Sequence, residues 1–311
     1  MQDPIVLENL TKDYNSFRAV DVLNLKVKRN SFVGFLGPNG AGKTTTIKML
    51  TNLLTITSGK AQLNGVDVSA DPKGALADVG AVVETPEFYP FLTPVETFEY
   101  LGSLRGMSKA DVRKRGKEVL DLVKMTEWSN TRIGKFSKGM KQRIALAQAL
   151  IHEPSIIILD EPTSGLDPRG IVEVRDVLLE LKKLDYTVFM SSHQLNEVQE
   201  VCEEVAMIDH GRLLAYDSVS ALISKIESKR LEVRVANQVF GEAMDKLRGH
   251  AGVELLNVLT PNSFQVDLKG GEEEQAQLLL FLQSLGLKIV SFKESGLALE
   301  NLYMSLIKSS R

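Results

Sequence analysis

Phe32-Val33-Gly34-Phe35-Leu36-Gly37-Pro38-Asn39-Gly40-Ala41-Gly42-Lys43-Thr44-Thr45 is the stretch on which the fold turns. Its first five residues are an apolar run of strand-forming type, and a glycine-rich turn follows at once. Behind the turn, Ile47, Leu50 and Leu54 fall at spacings of three and four, which predicts an amphipathic helix over 44–54. Strand, glycine turn and helix in that order place backbone N–H groups at a helix N-terminus, where they can wrap around phosphate oxygens. The spacing from Gly37 to Gly42-Lys43-Thr44 is that of a P-loop. In such a loop the lysine brings a point charge to the β- and γ-phosphates and the hydroxyl ligates Mg²⁺. The nine residues Gly37 to Thr45 are therefore candidate nucleotide-binding positions.

Working outward, residues 5–10 and 22–27 are short apolar runs broken by Asn and Lys, which predicts two strands ahead of the one over 31–36. Thr93-Pro94-Val95-Glu96 offers an N-cap, a first-turn proline and an acid at the third position, so residues 93–128 are predicted to be mostly helical. Ile156-Ile157-Ile158-Leu159 is apolar throughout, as a strand buried on both faces of a parallel sheet would be. It ends in Asp160-Glu161, two carboxylates where a buried strand emerges, the place at which P-loop proteins hold Mg²⁺ and position a water. Asp160 is thus a candidate metal ligand beside Thr44, and Glu161 the candidate partner of the water. Acids also mark strand ends for structural reasons; the P-loop is what favours chemistry here. Thr187-Val188-Phe189-Met190 predicts a second buried strand, and Asp209-His210-Gly211-Arg212 between two apolar runs predicts a tight hairpin closing the first domain. From Leu231 the texture changes to strands over 231–235, 253–259, 263–268 and 287–292, with helices over 240–247 and 273–285. That pattern is a small α+β domain, with its boundary near Ser228.

With 311 residues, two domains are the expectation. Forty acidic against 37 basic residues leave a net charge of -3, without the basic excess of a nucleic-acid binder. Cys202 stands alone, which excludes an internal disulfide and predicts a buried, inert thiol. No apolar stretch approaches the roughly 20 residues needed to cross a bilayer, and Met1-Gln2-Asp3-Pro4 lacks the features of a signal peptide. The chain is expected to stay in the cytoplasm.

Phe136-Ser137-Lys138-Gly139-Met140-Lys141-Gln142-Arg143, followed by Asp160-Glu161-Pro162-Thr163-Ser164-Gly165-Leu166-Asp167-Pro168 and then His193, resembles the signature motif, Walker B, D-loop and H-loop of ABC ATPases. The resemblance implies an α/β, RecA-like P-loop NTPase cassette over 1–227, with an antiparallel β part and a helical subdomain over 86–142, followed by the α+β domain over 228–311. By matching position, Tyr14 resembles the aromatic that stacks on adenine, although a tyrosine at a strand end needs no ligand. Ser137 and Gly139 resemble the residues that reach the γ-phosphate of ATP held by the opposite subunit, His193 the switch histidine, and Asp167 the aspartate linking the two sites. Two departures stand out. Glu84 occupies a position where most ABC ATPases carry Gln, adding charge near phosphate and metal and making Glu84 a candidate catalytic and metal-side group. Lys138 and Met140 replace the first glycine and the glutamine of the usual signature, which reduces backbone freedom there.

Val82-Val83-Glu84-Thr85-Pro86 with the Phe88-Tyr89-Pro90 that follows is similar to nucleotide-binding subunits of ABC-2 type exporters, including bacitracin-resistance-like ones. That implies a subunit which binds and hydrolyses Mg-ATP, dimerises with a second such subunit, and drives membrane-spanning permease subunits from the cytoplasmic face. A soluble ABC ATPase acting on DNA or ribosomes is the alternative, but such chains carry a second cassette or a long coiled coil. A P-loop kinase would leave the signature motif unexplained. Leu299-Glu300-Asn301-Leu302-Tyr303-Met304 is similar to the tails of export-type subunits, and the C-terminal domain is open between a structural or dimer-supporting appendage and a regulatory one.

Overall fold

Apolar residues of the first strands, Ile5, Leu7, Leu10, Leu23, Leu25 and Val27, are all buried, and they seat an antiparallel sheet on the core that carries the glycine turn. The computed structural model describes residues 3–224, 228–238 and 241–294, with Leu302, Tyr303 and Leu306, and divides into two units, Met1–Ser218 and Val219–Arg311. Along the first unit run β1 (Ile5–Tyr14), β2 (Phe17–Val27), β3 (Phe32–Leu36), α1 (Lys43–Leu50), β4 (Ser58–Leu63), β5 (Val66–Asp67), α2 (Pro72–Ala75) and β6 (Val79–Val82). There follow α3 (Pro94–Leu104), α4 (Lys109–Leu122), α5 (Lys138–Leu150), β7 (Ile156–Asp160), α6 (Pro168–Lys182), β8 (Thr187–Ser192), α7 (Leu195–Val201), β9 (Glu204–Asp209) and β10 (Arg212–Ser218).

One sheet has the order β2-β1-β4-β5 and is antiparallel; the other has the order β10-β9-β3-β8-β7-β6. In the second, β6, β7, β8, β3 and β9 pair in parallel and only β10 runs antiparallel. All five residues of β3 and all five of β7 are buried, as parallel strands covered on both faces must be. Parallel order aims the C-terminal ends of β3, β7 and β8 the same way, so the glycine turn, Asp160-Glu161 and His193 gather at one sheet edge.

The predicted helix start at Thr93 is borne out: Thr93 caps α3 and Glu96 returns the bond to its backbone, a reciprocal capping box. The predicted hairpin is β9–β10, with His210 at φ 45° and Gly211 at φ 78°, the left-handed pair that tight hairpin turns demand. Cys202 is buried and free as expected, and burial pushes its thiol far above the ordinary range. The helix predicted over 44–54 ends earlier, at Leu50: Asn52 turns left-handed at φ 55° and Leu53 is exposed, while Leu54 packs on the core from the following loop. Its apolar spacing reflected a shared destination, not a continuing helix. Likewise α5 runs on past 142 to Leu150, and packs on both α4 and β6.

The division into units falls after the hairpin, at Ser218, rather than at 227–228. The second unit holds α8 (Val219–Ser224), β11 (Ser228–Val235), α9 (Gly241–Arg248), β12 (Val253–Thr260), β13 (Ser263–Lys269), α10 (Glu272–Ser284) and β14 (Ile289–Glu294). Its antiparallel sheet has the order β12-β13-β11-β14, and Leu231, Val233, Phe264, Val266 and Leu268 pack against Met244, Leu247, Leu278 and Leu282 of α9 and α10. The α+β reading therefore stands. Of the tail resembling export-type subunits, Leu299, Glu300, Asn301 and Met304 lie outside the described residues, as does Phe240.

Candidate active site

The glycine turn is shaped by its neighbours. A Cβ at Gly37 would lie 2.4 Å from the Ile208 carbonyl oxygen, and one at Gly42, φ 101°, 2.5 Å from that of Ala19. Neither position has room for a side chain. The hairpin tip holds the turn from behind, Gly211 N–H donating to the Ala41 carbonyl and Asp21 N–H to that of Gly211, each at 2.9 Å. Gly42 caps α1 without a side-chain acceptor. The start of α1 thus has its N–H groups and positive dipole end available to an anion. Lys43 is 4% exposed, and its ammonium donates to the carbonyls of Gly37 (2.8 Å) and Pro38 (3.0 Å) and lies 3.3 Å from Glu161 Oε1.

Across the turn, Thr44 Oγ1 donates to Asp160 Oδ1 at 3.2 Å. A hydroxyl and a buried carboxylate meeting face to face are hard oxygen donors of the kind Mg²⁺ takes together with substrate phosphates, so the pair fits that ion. Ser191, at the end of β8, donates to Asp160 Oδ1 at 2.7 Å and accepts the Glu161 N–H at 2.9 Å. Glu161 has left-handed backbone, φ 44°, a conformation that costs a non-glycine residue about 1–3 kcal/mol. The turn puts its carboxylate between Lys43 and His193, whose Nδ1 is 3.0 Å from Oε2. An ionised carboxylate only accepts, so that contact requires the imidazole proton on Nδ1.

Glu84, two residues past the end of β6, is also left-handed, at φ 60°. It lines a cleft of about 490 Å³ together with Thr44, Lys138, Asp160 and Glu161. Glu84 pairs with Lys48, one helical turn beyond Thr44 on α1, and this hydrogen bond raises the Lys48 pKa above its usual value. The structure thus puts Glu84 in the same cleft as Thr44 and Asp160, with Lys48 as its immediate partner. A larger cavity, about 670 Å³, lies in the helical part around Phe98, Val112 and Leu120 and contains none of the motif residues.

Ser137 caps α5, accepting the Met140 N–H at 3.2 Å, and Asp167 caps α6, accepting the Gly170 N–H at 3.0 Å. The two helix starts approach so closely that a Cβ at Gly139 would lie 3.2 Å from Gly170 Cα. Lys138, the departure in the signature, is the first residue of α5 with no left-handed backbone to require glycine. Its ammonium donates to the carbonyls of Ser164 (3.3 Å) and Gly165 (3.1 Å), tying the signature turn to the loop after Glu161. Tyr14, at the end of β1, is 44% exposed and offers a ring face with Lys12 Nζ 5.2 Å from its centroid. Arg18 steadies the β1–β2 turn beside it by bonding Asp13 (2.8 Å) and Asp21 (3.0 Å).

Sequence reasoning placed Lys43, Thr44, Asp160, Glu161 and His193, and the structure joins them through direct contacts. It missed Lys48 and Ser191. The signals were a lysine four residues after Thr44, hence on its face of α1, and two hydroxyls at the end of a buried strand directly before His193.

A family model described as "ABC transporter" matches residues 20–164. The bacitracin transport ATP-binding protein of Bacillus licheniformis is 36% identical over 308 residues, 99% of this chain and 98% of its own length, so the likeness runs on into the second unit. Among solved structures, one similar chain is CbiO1 of Clostridium perfringens, described as part of an ABC transporter complex (26% identity, TM-score 0.64, 72% of this chain and 92% of that one). Another is the dimeric cassette MJ0796 in a post-hydrolysis state bound to ADP and Pi (26% identity, TM-score 0.62, 69% and 98%).

Proposed function

From the premise that the chain belongs to the ABC transporter ATP-binding family, we propose that two copies clamp two Mg-ATP and pass the closing motion to permease subunits of an ABC-2 type exporter. The observation that carries this reading is the Glu161 carboxylate bracketed by Lys43 and His193 at the mouth of the phosphate loop. Lys43 exchanges its loop carbonyls for phosphate oxygens, and the N–H groups starting α1 close around them. Thr44 and Asp160 would hold Mg²⁺, which would supply positive charge to offset that of the phosphates. Glu161 orients the attacking water and takes up its proton, while His193 keeps the carboxylate turned and contacts the γ-phosphate. Tyr14 provides the stacking face for adenine.

Ser137, Gly139 and Asp167 serve the opposite subunit's nucleotide, as supported by the dimeric cassette that this chain resembles. Attachment to the cytoplasmic face through the permease is part of this reading, supported by the membrane-transporter ATPases that the chain resembles. Transport of an antibiotic-like cargo is supported by the bacitracin transport relative, and the outward direction is read from the resemblance to ABC-2 type exporters.

A mixing experiment tests the dimer. Ser137→Arg and Lys43→Ala are each expected to be inactive alone, but a mixed dimer holds one site with both the phosphate loop and the signature intact. Partial recovery of hydrolysis on mixing is the expected outcome. A confirmed mixed dimer without recovery would show that Ser137 acts within its own chain.

Glu84→Gln removes one negative charge beside Thr44 and Asp160 and leaves Lys48 without its ionic partner. The Mg²⁺ concentration for half-maximal hydrolysis is expected to shift by about 2- to 10-fold, with ATP-driven dimerisation retained. An unchanged Mg²⁺ titration and unchanged turnover with the permease would make the charge at Glu84 incidental.

A further inference from the structure

Glu197 is a buried carboxylate that the hydrolytic steps above do not use. It lies on α7 near Val198 and Val201, and its environment is apolar enough that an unpaired charge there would be strongly unfavourable. Two hydroxyls satisfy it. Thr163 Oγ1 donates to Oε1, and Ser192 Oγ donates to Oε2 at 2.9 Å; both residues are themselves buried.

The identity of those partners is what matters. Thr163 is two residues beyond Glu161, in a turn where Ser164 N–H bonds back to the Glu161 carbonyl at 3.0 Å. Ser192 is the last residue of β8 and is followed directly by His193; it also accepts the Gln194 N–H at 2.9 Å. One planar carboxylate therefore grips the segment after Glu161 with one oxygen and the residue before His193 with the other. An apolar side chain of the same size would fill this space without desolvating a charge, and buried ion or polar groups commonly stabilise no more than such a replacement. What the carboxylate adds is a defined spacing between two loops.

We propose that Glu197 is a positioning residue for ATP hydrolysis: by clamping Thr163 to Ser192 it holds Glu161 and His193 within hydrogen-bond distance of each other. The proposal rests on the reading of Glu161 and His193 as the hydrolytic pair. Glu197 itself bonds neither of them and acts through Thr163 and Ser192.

The test uses the 311-residue chain and six variants of it. Glu197→Ala removes both bonds, and turnover is expected to fall by about 10- to 100-fold, the scale of a small misplacement of catalytic groups. The KM for ATP, and the Kd of a fluorescent ATP analogue measured without Mg²⁺, should stay within about 2-fold, because the phosphate loop is untouched. Glu197→Gln can still accept from Thr163 and donate to Ser192, and is expected to regain most of the turnover. Thr163→Val cuts one bond at constant volume and should fall between. In a His193→Ala background, Glu197→Ala should cause no further loss, since both act on the same pair.

Turnover in Glu197→Ala equal to that of the unaltered chain would overturn the proposal. So would a loss of turnover matched by equal losses of nucleotide affinity and melting temperature, which would mark a structural role. Should Glu197→Ala not fold, Thr163→Val decides by the same criteria. Glu161→Gln in parallel separates the two readings. Normal turnover there removes the hydrolytic assignment itself, whereas a dead Glu161→Gln beside an active Glu197→Ala removes only the clamp.

Discussion

Glu161→Gln binds ATP with near-normal affinity while its turnover drops by about 100-fold or more, the range associated with losing a general base. The amide keeps the size of the side chain and can still meet Lys43 or His193, but it cannot accept the proton of an attacking water. The backbone of the phosphate loop keeps its shape, because Gly37 and Gly42 pack against Ile208 and Ala19 and the β9–β10 hairpin bonds Ala41, while Lys43 loses an ionised neighbour but keeps its bonds to the Gly37 and Pro38 carbonyls. ATP is therefore bound and not consumed, and a closed dimer accumulates. Size-exclusion chromatography with ATP, beside a phosphate-release assay, checks both parts. Near-normal phosphate release would mean that another group takes the proton.

Lys43→Ala is the second large effect. Its ammonium bonds both loop carbonyls and also reaches Glu161, so removing it takes away the charge proposed to meet the β- and γ-phosphates. Loss of a single preorganised charge or donor of this kind weakens transition-state stabilisation by about 100- to 1000-fold. The fold should survive, since the core around Phe35, Ile47, Ile158 and Phe189 does not depend on the lysine. The variant does leave the Gly37 and Pro38 carbonyls short of a donor, which costs about 1–3 kcal/mol and lowers the melting temperature by a few degrees. Thermal melts followed by circular dichroism, set beside ATP turnover, separate the two effects. A wild-type rate in a folded Lys43→Ala protein would overturn the assignment of the loop.

Much of this was legible because it is local. A buried parallel strand shows itself as an unbroken run, Ile156 to Leu159, and a phosphate loop shows itself in glycines whose spacing the backbone requires. Thr93 and Glu96 announce a helix start because both partners of the capping box lie within four residues. Where the reading slipped, a local signal had two causes. Leu54 kept helical spacing but reaches the core from a loop, and the division after Ser218 left no mark in composition until the strand at Leu231. The signature lysine looked like a loss of flexibility, whereas Lys138 fits an ordinary first helical residue and ties two loops.

By itself, then, the sequence pointed to the strand, glycine loop and helix around Lys43 and Thr44, to the buried strands before Asp160-Glu161 and before His193, and to the α+β texture of the second unit, because residue type and spacing along one segment decide backbone conformation and donor set. Only the tertiary structure decided which groups hold these in place. Lys48 meets Glu84 across 36 residues, Ser191 meets Asp160 across 31, and Glu197 meets Thr163 across 34. Such contacts depend on β3, β7 and β8 lying side by side, and hydrogen bonds act over about 3 Å of space with no regard to distance along the chain.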